Sequence, residues 1–259
     1  MINFIRKIRH RLLSENKFSK YLLYAIGEII LVVIGILIAL QINNWNDRKK
    51  NAALELTYYN RILDDFDMDK QLIVQSLEKA DKRINTSKEL LLELHSGTES
   101  KNYLINKFLV AIRGDVFVVR DVTFKDLISS GNIKLLNDIA IKNSLIQYYS
   151  ELENVQTQMK QNRDENLKNI FELFSGSVEF GGTQELQYVN QILGPEILKT
   201  LKQIDWTKDK DSKYYEKFQT ELVFNISMAD REKQHLMTIR NLMESPYALL
   251  VQKCRKDEN

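Results

Sequence analysis

The 259 residues carry 37 lysines and arginines against 35 aspartates and glutamates, a formal net charge of +2, so the chain has no global electrostatic footprint for nucleic acid. A single cysteine, Cys254, excludes an intramolecular disulfide framework. With only two prolines, little interrupts long helices.

The basic excess is local. Arg6, Lys7, Arg9 and Arg11 lie among Ile2, Ile5, Ile8, Leu12 and Leu13 at near-helical spacing. That pattern suits either an amphipathic segment on an anionic leaflet or a basic tail that only fixes topology. Residues 21–42, YLLYAIGEIILVVIGILIALQI, are apolar all round, and Glu28 is their one charge. As a helix with about 1.5 Å of rise per residue they span roughly 33 Å, which matches a hydrocarbon core of about 30 Å. We read one transmembrane helix, with the lipid bilayer as its first partner. Six cations and one acid, Glu15, precede it, whereas Arg48, Lys49 and Lys50 follow beside Asp47 and Glu55. The positive-inside bias then predicts a cytoplasmic segment over 1–20 and an extracytoplasmic, periplasmic domain over 43–259, in the inner membrane. The long apolar run, with no A-x-A-like site near its end, favours an uncleaved signal anchor over a cleaved leader. Trp45, set among Asn43, Asn44 and Asn46, suits the headgroup edge.

Inside the span a carboxylate costs about 2.5–3.5 kcal/mol on insertion scales, so Glu28 calls for an explanation. Gly35 and Ala39 lie on or near its face and Gly27 adjoins it, a small-residue surface on which helices approach closely. The reading is a homo-oligomer or partner helix in which protonated Glu28 donates a hydrogen bond. The alternatives are an isolated helix whose Glu28 shifts toward the headgroups, and a proton-responsive site.

Beyond the membrane the pattern is helical throughout. From Asp47 to His95, apolar residues recur at three, four or seven positions, and 73, 77, 80, 84, 87, 91 and 94 alternate four and three as in a coiled-coil seam. Ser96 and Gly97 end that helix, and a short one follows over Lys101–Ile112. The run VFVVRDV after Gly114 reads as an extended stretch or a buried connector. Thr123–Ser129 makes a turn or two of helix, Gly131 supplies a left-handed cap, and Asn137 or Asp138 caps a long helix from Ile139 through Phe174. Glycines in Ser175–Gln184 mark a surface loop. Helices are then expected over Glu185–Leu193 and Pro195–Gln203, and a last long one over Lys213–Met243, stopped by Ser245 and Pro246. The fold class is therefore all-α: a single N-terminal transmembrane helix continuing into an antiparallel helical bundle.

Two blocks resemble a known family. Lys17–Asp47 (KFSKYLLYAIGEIILVVIGILIALQINNWND) and Thr123–Ile133, ending near Tyr148 and Tyr149, are similar to an uncharacterised family of Bacteroidota membrane proteins catalogued as domain of unknown function 6090. The resemblance implies an envelope protein of a Gram-negative cell and carries no activity with it. In the second block, Phe124, Ser129, Ser130, Gly131, Tyr148 and Tyr149 form either a recognition surface or a helix corner. In the corner reading Phe124, Leu127, Ile128, Ile133, Leu135 and Leu136 fill the core.

Catalytic signatures are absent from the sequence. His10, His95 and His235 are far apart, no H-E-x-x-H or phosphate-cradling glycine loop occurs, and no cofactor is called for. Asp64, Asp65, Asp67 and Asp69 spread around a helix and read as a solvated face. The expected function is a non-enzymatic, membrane-anchored interaction or structural protein with a homo-oligomeric or envelope protein partner. A ligand-sensing bundle signalling through a separate partner is the alternative, and an ion-coupled subunit using Glu28 the third. No feature identifies a small-molecule ligand.

Overall fold

The computed structural model describes residues 18–114, 116–174, 187–201 and 204–257. The basic residues Arg6, Lys7, Arg9 and Arg11, and the loop expected over Ser175–Gln184, lie outside these. Every regular element among the described residues is helical: α1 (Phe18–Ser96), α2 (Lys101–Ala111), α3 (Val122–Ser129), α4 (Ile139–Phe174), α5 (Gln187–Leu198) and α6 (Lys213–Asp257), with 3-10 turns at Asn132–Leu135 and Trp206–Lys208. The chain divides into two compact units, Met1–Thr57 and Tyr58–Asn259.

In the first unit, the apolar side chains from Leu22 to Ile42 are uncovered along their length. This is the one helix among the described residues that is long and apolar enough to cross a membrane. Past it the surface turns polar through contacts one helical turn apart: Asn43 Nδ2 donates to Asp47 Oδ2 at 3.2 Å, and Arg48 Nε donates to the Asn44 carbonyl at 3.2 Å. The Lys49 ammonium sits 5.9 Å from the Trp45 ring centroid.

The second unit is a bundle of α1 from Tyr58 onward with α4 and α6. Lys70 faces Tyr247, Asp81 faces Lys233, Arg83 faces Glu232 and Ser87 faces Asn225, so residue numbers rise on α1 as they fall on α6. Ser144 beside Ser245 and Asn162 beside His235 show the same opposition between α4 and α6. Both α1 and α4 therefore run antiparallel to α6. The apolar repeat of α6, Tyr215, Phe218, Leu222, Ala229, Leu236, Ile239 and Met243, is buried throughout.

One end of the bundle closes on a dry cluster. Leu90 and Leu94 of α1, Leu104, Ile105 and Phe108 of α2, Leu173 of α4, and Tyr215, Phe218 and Leu222 of α6 gather around Trp206. Phe218 is central, with its ring centroid 4.9 Å from Phe108 and 5.2 Å from Trp206, both tilted.

Four readings change. The seam on α1 keeps its alternation but shifts phase at every second position, so that Ser76, Arg83 and Leu90 are buried where Leu77 and Leu91 were expected. Positions 73, 80, 87 and 94 hold in both phases, and Ile84 is also buried. Similarly, α4 turns Asn166, Ile170 and Leu173 inward and leaves Leu167 and Phe171 exposed. The last helix does not stop at Pro246. It runs to Asp257, because Met243, Pro246, Leu250 and Cys254 continue one buried stripe whose packing outweighs the hydrogen bond that proline cannot donate. The pair of helices expected around Pro195 appears as α5, broken at Gly194 by φ +72°.

Candidate functional site

Midway along the bundle the apolar stripe of α4 lapses, and polar side chains join the buried faces of α1 and α6. On α4, none of the residues from Gln156 to Glu165 (QTQMKQNRDE) is buried, so the helix has nothing with which to pull itself onto the core there. On α1 the same level carries Ser76, Arg83 and Ser87, all buried, and on α6 it carries buried Asn225 with Glu232 and His235. The result is a polar layer with a cleft beside it.

Arg83 organises this layer. Its guanidinium donates to Glu232 across the α1–α6 contact, with both side chains largely withdrawn from solvent. Gly114 makes room for it: a Cβ at that position would lie 2.6 Å from Arg83 Nη1. One turn further along α1, Asn225 Nδ2 donates to Ser87 Oγ at 2.9 Å and to the Ala111 carbonyl at 3.3 Å, joining α1, α2 and α6. On the opposite wall Asn166 is buried and its Oδ1 has no hydrogen-bond partner.

His235 stands at the same level, with Nε2 3.2 Å from Asn162 Nδ2, a contact in which the neutral Nδ1–H tautomer is the acceptor. Burial, and secondarily the charge of Arg231, push its pKa below the ordinary histidine value. Protons therefore bind the unfolded state more readily. The stability His235 contributes is complete above about pH 6.5 and is lost as the pH falls through that value and then through the lower folded one. Burial shifts Asp69 and Glu221 upward, with the opposite sign. The test is therefore a difference: a His235→Gln variant should lose less stability than the parent between pH 7 and pH 5 in urea denaturation.

The block around residues 120–149 lies against α1 through a second set of polar contacts. Arg120 gives Asp69 a backbone N–H at 3.0 Å and an Nη1 donor at 2.8 Å, and Thr123 Oγ1 donates to Asp65 Oδ2 at 2.6 Å. Tyr58 Oη donates to Asp126 Oδ2 at 3.0 Å and accepts from Asn132 Nδ2 at 2.9 Å. Asp65 is half-buried and Asp69 is buried, so only Asp64 and Asp67 of the expected solvated face are exposed. Gly131 takes φ +71°, and the Ser129 and Ser130 hydroxyls both turn back onto the Asp126 carbonyl, at 3.3 and 2.6 Å. Asp138 caps α4 by accepting from the Ala140 and Ile141 amides.

Behind this corner Phe124 stacks on Tyr149 at 4.0 Å, and Phe66 meets Tyr148 edge-on at 5.0 Å. Leu127 and Leu136 are buried with Tyr148 and Tyr149, Phe124, Ile133 and Leu135 are half-buried, and Ile128 points outward. Neither tyrosine hydroxyl has a partner, and burial raises both phenols well above the usual tyrosine pKa. An unpaired buried hydroxyl costs about 1–3 kcal/mol. Tyr149→Phe should therefore leave thermal stability unchanged or raise it by up to about 1 kcal/mol, whereas a loss of more than that would mean the hydroxyl is used.

Of the residues expected to act in the membrane, Gly27, Glu28, Gly35 and Ala39 are all exposed on α1, and Trp45 flanks them. The sequence reading missed Arg83, Glu232, Asn162 and Asn166, which lie on three different helices. The one available signal was the polar run from Gln156 to Glu165 in an otherwise periodic α4.

Comparison with known proteins gives one match. No curated protein and no solved structure matches the chain. A family model described as "Family of unknown function (DUF6090)" matches residues 28–187, a stretch that takes in the apolar segment from Glu28, the polar wall of α4 and the whole 120–149 corner. The chain belongs to this family of unknown function.

Proposed function

We propose that the protein is a non-enzymatic, single-pass envelope protein, with a cytoplasmic N-terminus and a periplasmic helical domain that works by binding, and that its membrane helix self-associates. The observation that carries this reading is the uncovered apolar segment from Leu22 to Ile42, interrupted by one carboxylate. A side chain exposed on a lone helix in lipid gains nothing from water, so association has to come from close packing and from hydrogen bonds. Apart from the adjoining residues and backbone of the helix itself, nothing lies within 4 Å of the position a Cβ would take at Gly27 or Gly35, which leaves that face open to a second helix. Glu28 supplies the polar group that such a contact would satisfy.

In native membranes, chemical cross-linking of the full-length protein should give a discrete oligomer. Glu28→Gln, Glu28→Ala and Gly35→Leu should each change its yield by several-fold. Unchanged species in all three variants would remove self-association through this face.

A second reading is supported by the cleft. A bundle that leaves a buried amide oxygen unpaired beside a hollow has the form of a ligand receptor, and such a receptor would signal through a separate partner.

A further inference from the structure

The cleft beside the polar layer has a volume of about 520 Å³, within the range of about 300–1,000 Å³ typical of small-molecule sites. Two helical stripes wall it. Met159, Asn162 and Asn166 follow one another at three and four positions on α4, and Met228 and His235 stand seven apart on α6. Phe117, from the connector after α2, adds an aromatic wall. Two of the polar groups on this lining already answer others: Arg83 donates to Glu232, and Asn162 contacts His235. Asn166 differs. It is only 8% exposed, and its Oδ1 has no hydrogen-bond partner. An ionised carboxylate only accepts, so the side chain of Asp115, which lies outside the described residues, supplies no donor for it. A leucine at 166 would simply extend the buried stripe that Ile170 and Leu173 continue, and would carry no such cost.

We infer that this cleft binds a small organic molecule with an apolar body and a hydroxyl or N–H donor, the body lying among Met159, Met228 and Phe117 and the donor on Asn166 Oδ1. This rests on the receptor reading above and adds the ligand class. Methionine suits such walls, because its unbranched thioether adapts to the shape of what it covers. A wholly apolar ligand would shut the amide oxygen away without pairing it, whereas an alcohol or an amide N–H satisfies it. An ether of the same shape offers the oxygen only another acceptor. The donor therefore defines the class, and the methionines and Phe117 set the size of what carries it.

The test is methyl NMR of the full-length chain in maltoside micelles, isotope-labelled at the methionine methyls and titrated with cyclohexanol and with methoxycyclohexane. The two probes share a ring and differ in the O–H. Millimolar cyclohexanol should move the Met159 and Met228 signals to saturation, while those of exposed Met68 and of Met243, buried elsewhere on α6, stay in place. Methoxycyclohexane should bind about five- to tenfold more weakly. Asn166→Leu exchanges an unpaired amide for an apolar side chain of similar size, so it should fold as the parent does and bring the two probes to within about twofold of each other. The contrast between the probes in the parent protein needs no variant. Equal affinity for both there would overturn the donor and leave the receptor reading standing. A preference for the alcohol that survives Asn166→Leu would overturn the placing of the donor on Asn166. Signals of Met159 and Met228 that move with neither probe, or only together with Met68 and Met243, would overturn the cleft as a site and the receptor reading with it.

Discussion

Trp206→Ala should lower the stability of the helical domain by about 3–5 kcal/mol, the range for removing a large aromatic side chain from a closed core. Trp206 is fully buried in a short 3-10 turn, and the side chains around it come from α1, α2, α4 and α6. Side chains from four helices converge on the indole, so the space it would leave cannot be closed by moving one neighbour alone. Phe218, whose ring lies 5.2 Å away, would lose a tilted partner as well as its cover. Urea denaturation followed by circular dichroism reads the change directly. A loss below about 1 kcal/mol would show that the cluster repacks and that the turn carrying Trp206 is dispensable to the bundle.

The second large effect is expected at the Arg83–Glu232 pair. Removing one partner of a fully buried ion pair costs about 3–5 kcal/mol, since the other charge is stranded. Here the side chains keep 10% and 24% of their exposure, so water can relieve part of that, and Arg83→Ala should cost about 2–3 kcal/mol. The companion change separates stability from purpose. Replacing both residues together, Arg83→Met with Glu232→Leu, should be within about 1 kcal/mol of the parent, because no charge is left unpaired. If the double variant were as unstable as the single ones, the pair would be holding α1 against α6 in its own right. A near-neutral double variant would show that the pair adds little net stability over apolar side chains of similar size.

These two sites differ in how well the sequence discloses them. The dry cluster is written in periodic apolar residues, and the α6 face from Tyr215 to Met243 is readable by spacing because every buried position in it except Asn225 is apolar. The polar layer is not. A hydrophobic seam on α1 selects Leu77, Ile84 and Leu91, and the helix buries Ser76 and Leu90 in place of the two leucines and Arg83 alongside Ile84, each one residue earlier. Rotation by a single position is enough to put arginine inside, and only a carboxylate on α6 and a glycine thirty-one positions downstream, neither marked by any local pattern, make that rotation tolerable. Asp69 is a similar case: it reads as part of a solvated acidic face until Arg120, far along the chain, supplies two donors. At Pro246 local and tertiary signals oppose each other. Proline predicts a stop, but the buried positions on both sides keep the helical repeat, and packing prevails.

That continuation has a further consequence, because Cys254 lies two turns beyond Pro246, is buried, and is the only thiol in the chain. Pro246 cannot donate to the Leu242 carbonyl, so one fewer backbone hydrogen bond ties the final turns of α6 to the helix before them, and those turns can open without the rest. Cys254 therefore serves as an internal gauge of that event. The rate at which a small alkylating reagent captures it in the folded protein, divided by the rate in denaturant, gives the fraction of time the terminal turns stand open. Trp206 reports the integrity of the opposite end of the bundle. Between them, the chain's own thiol and indole follow local opening and global unfolding as separate quantities.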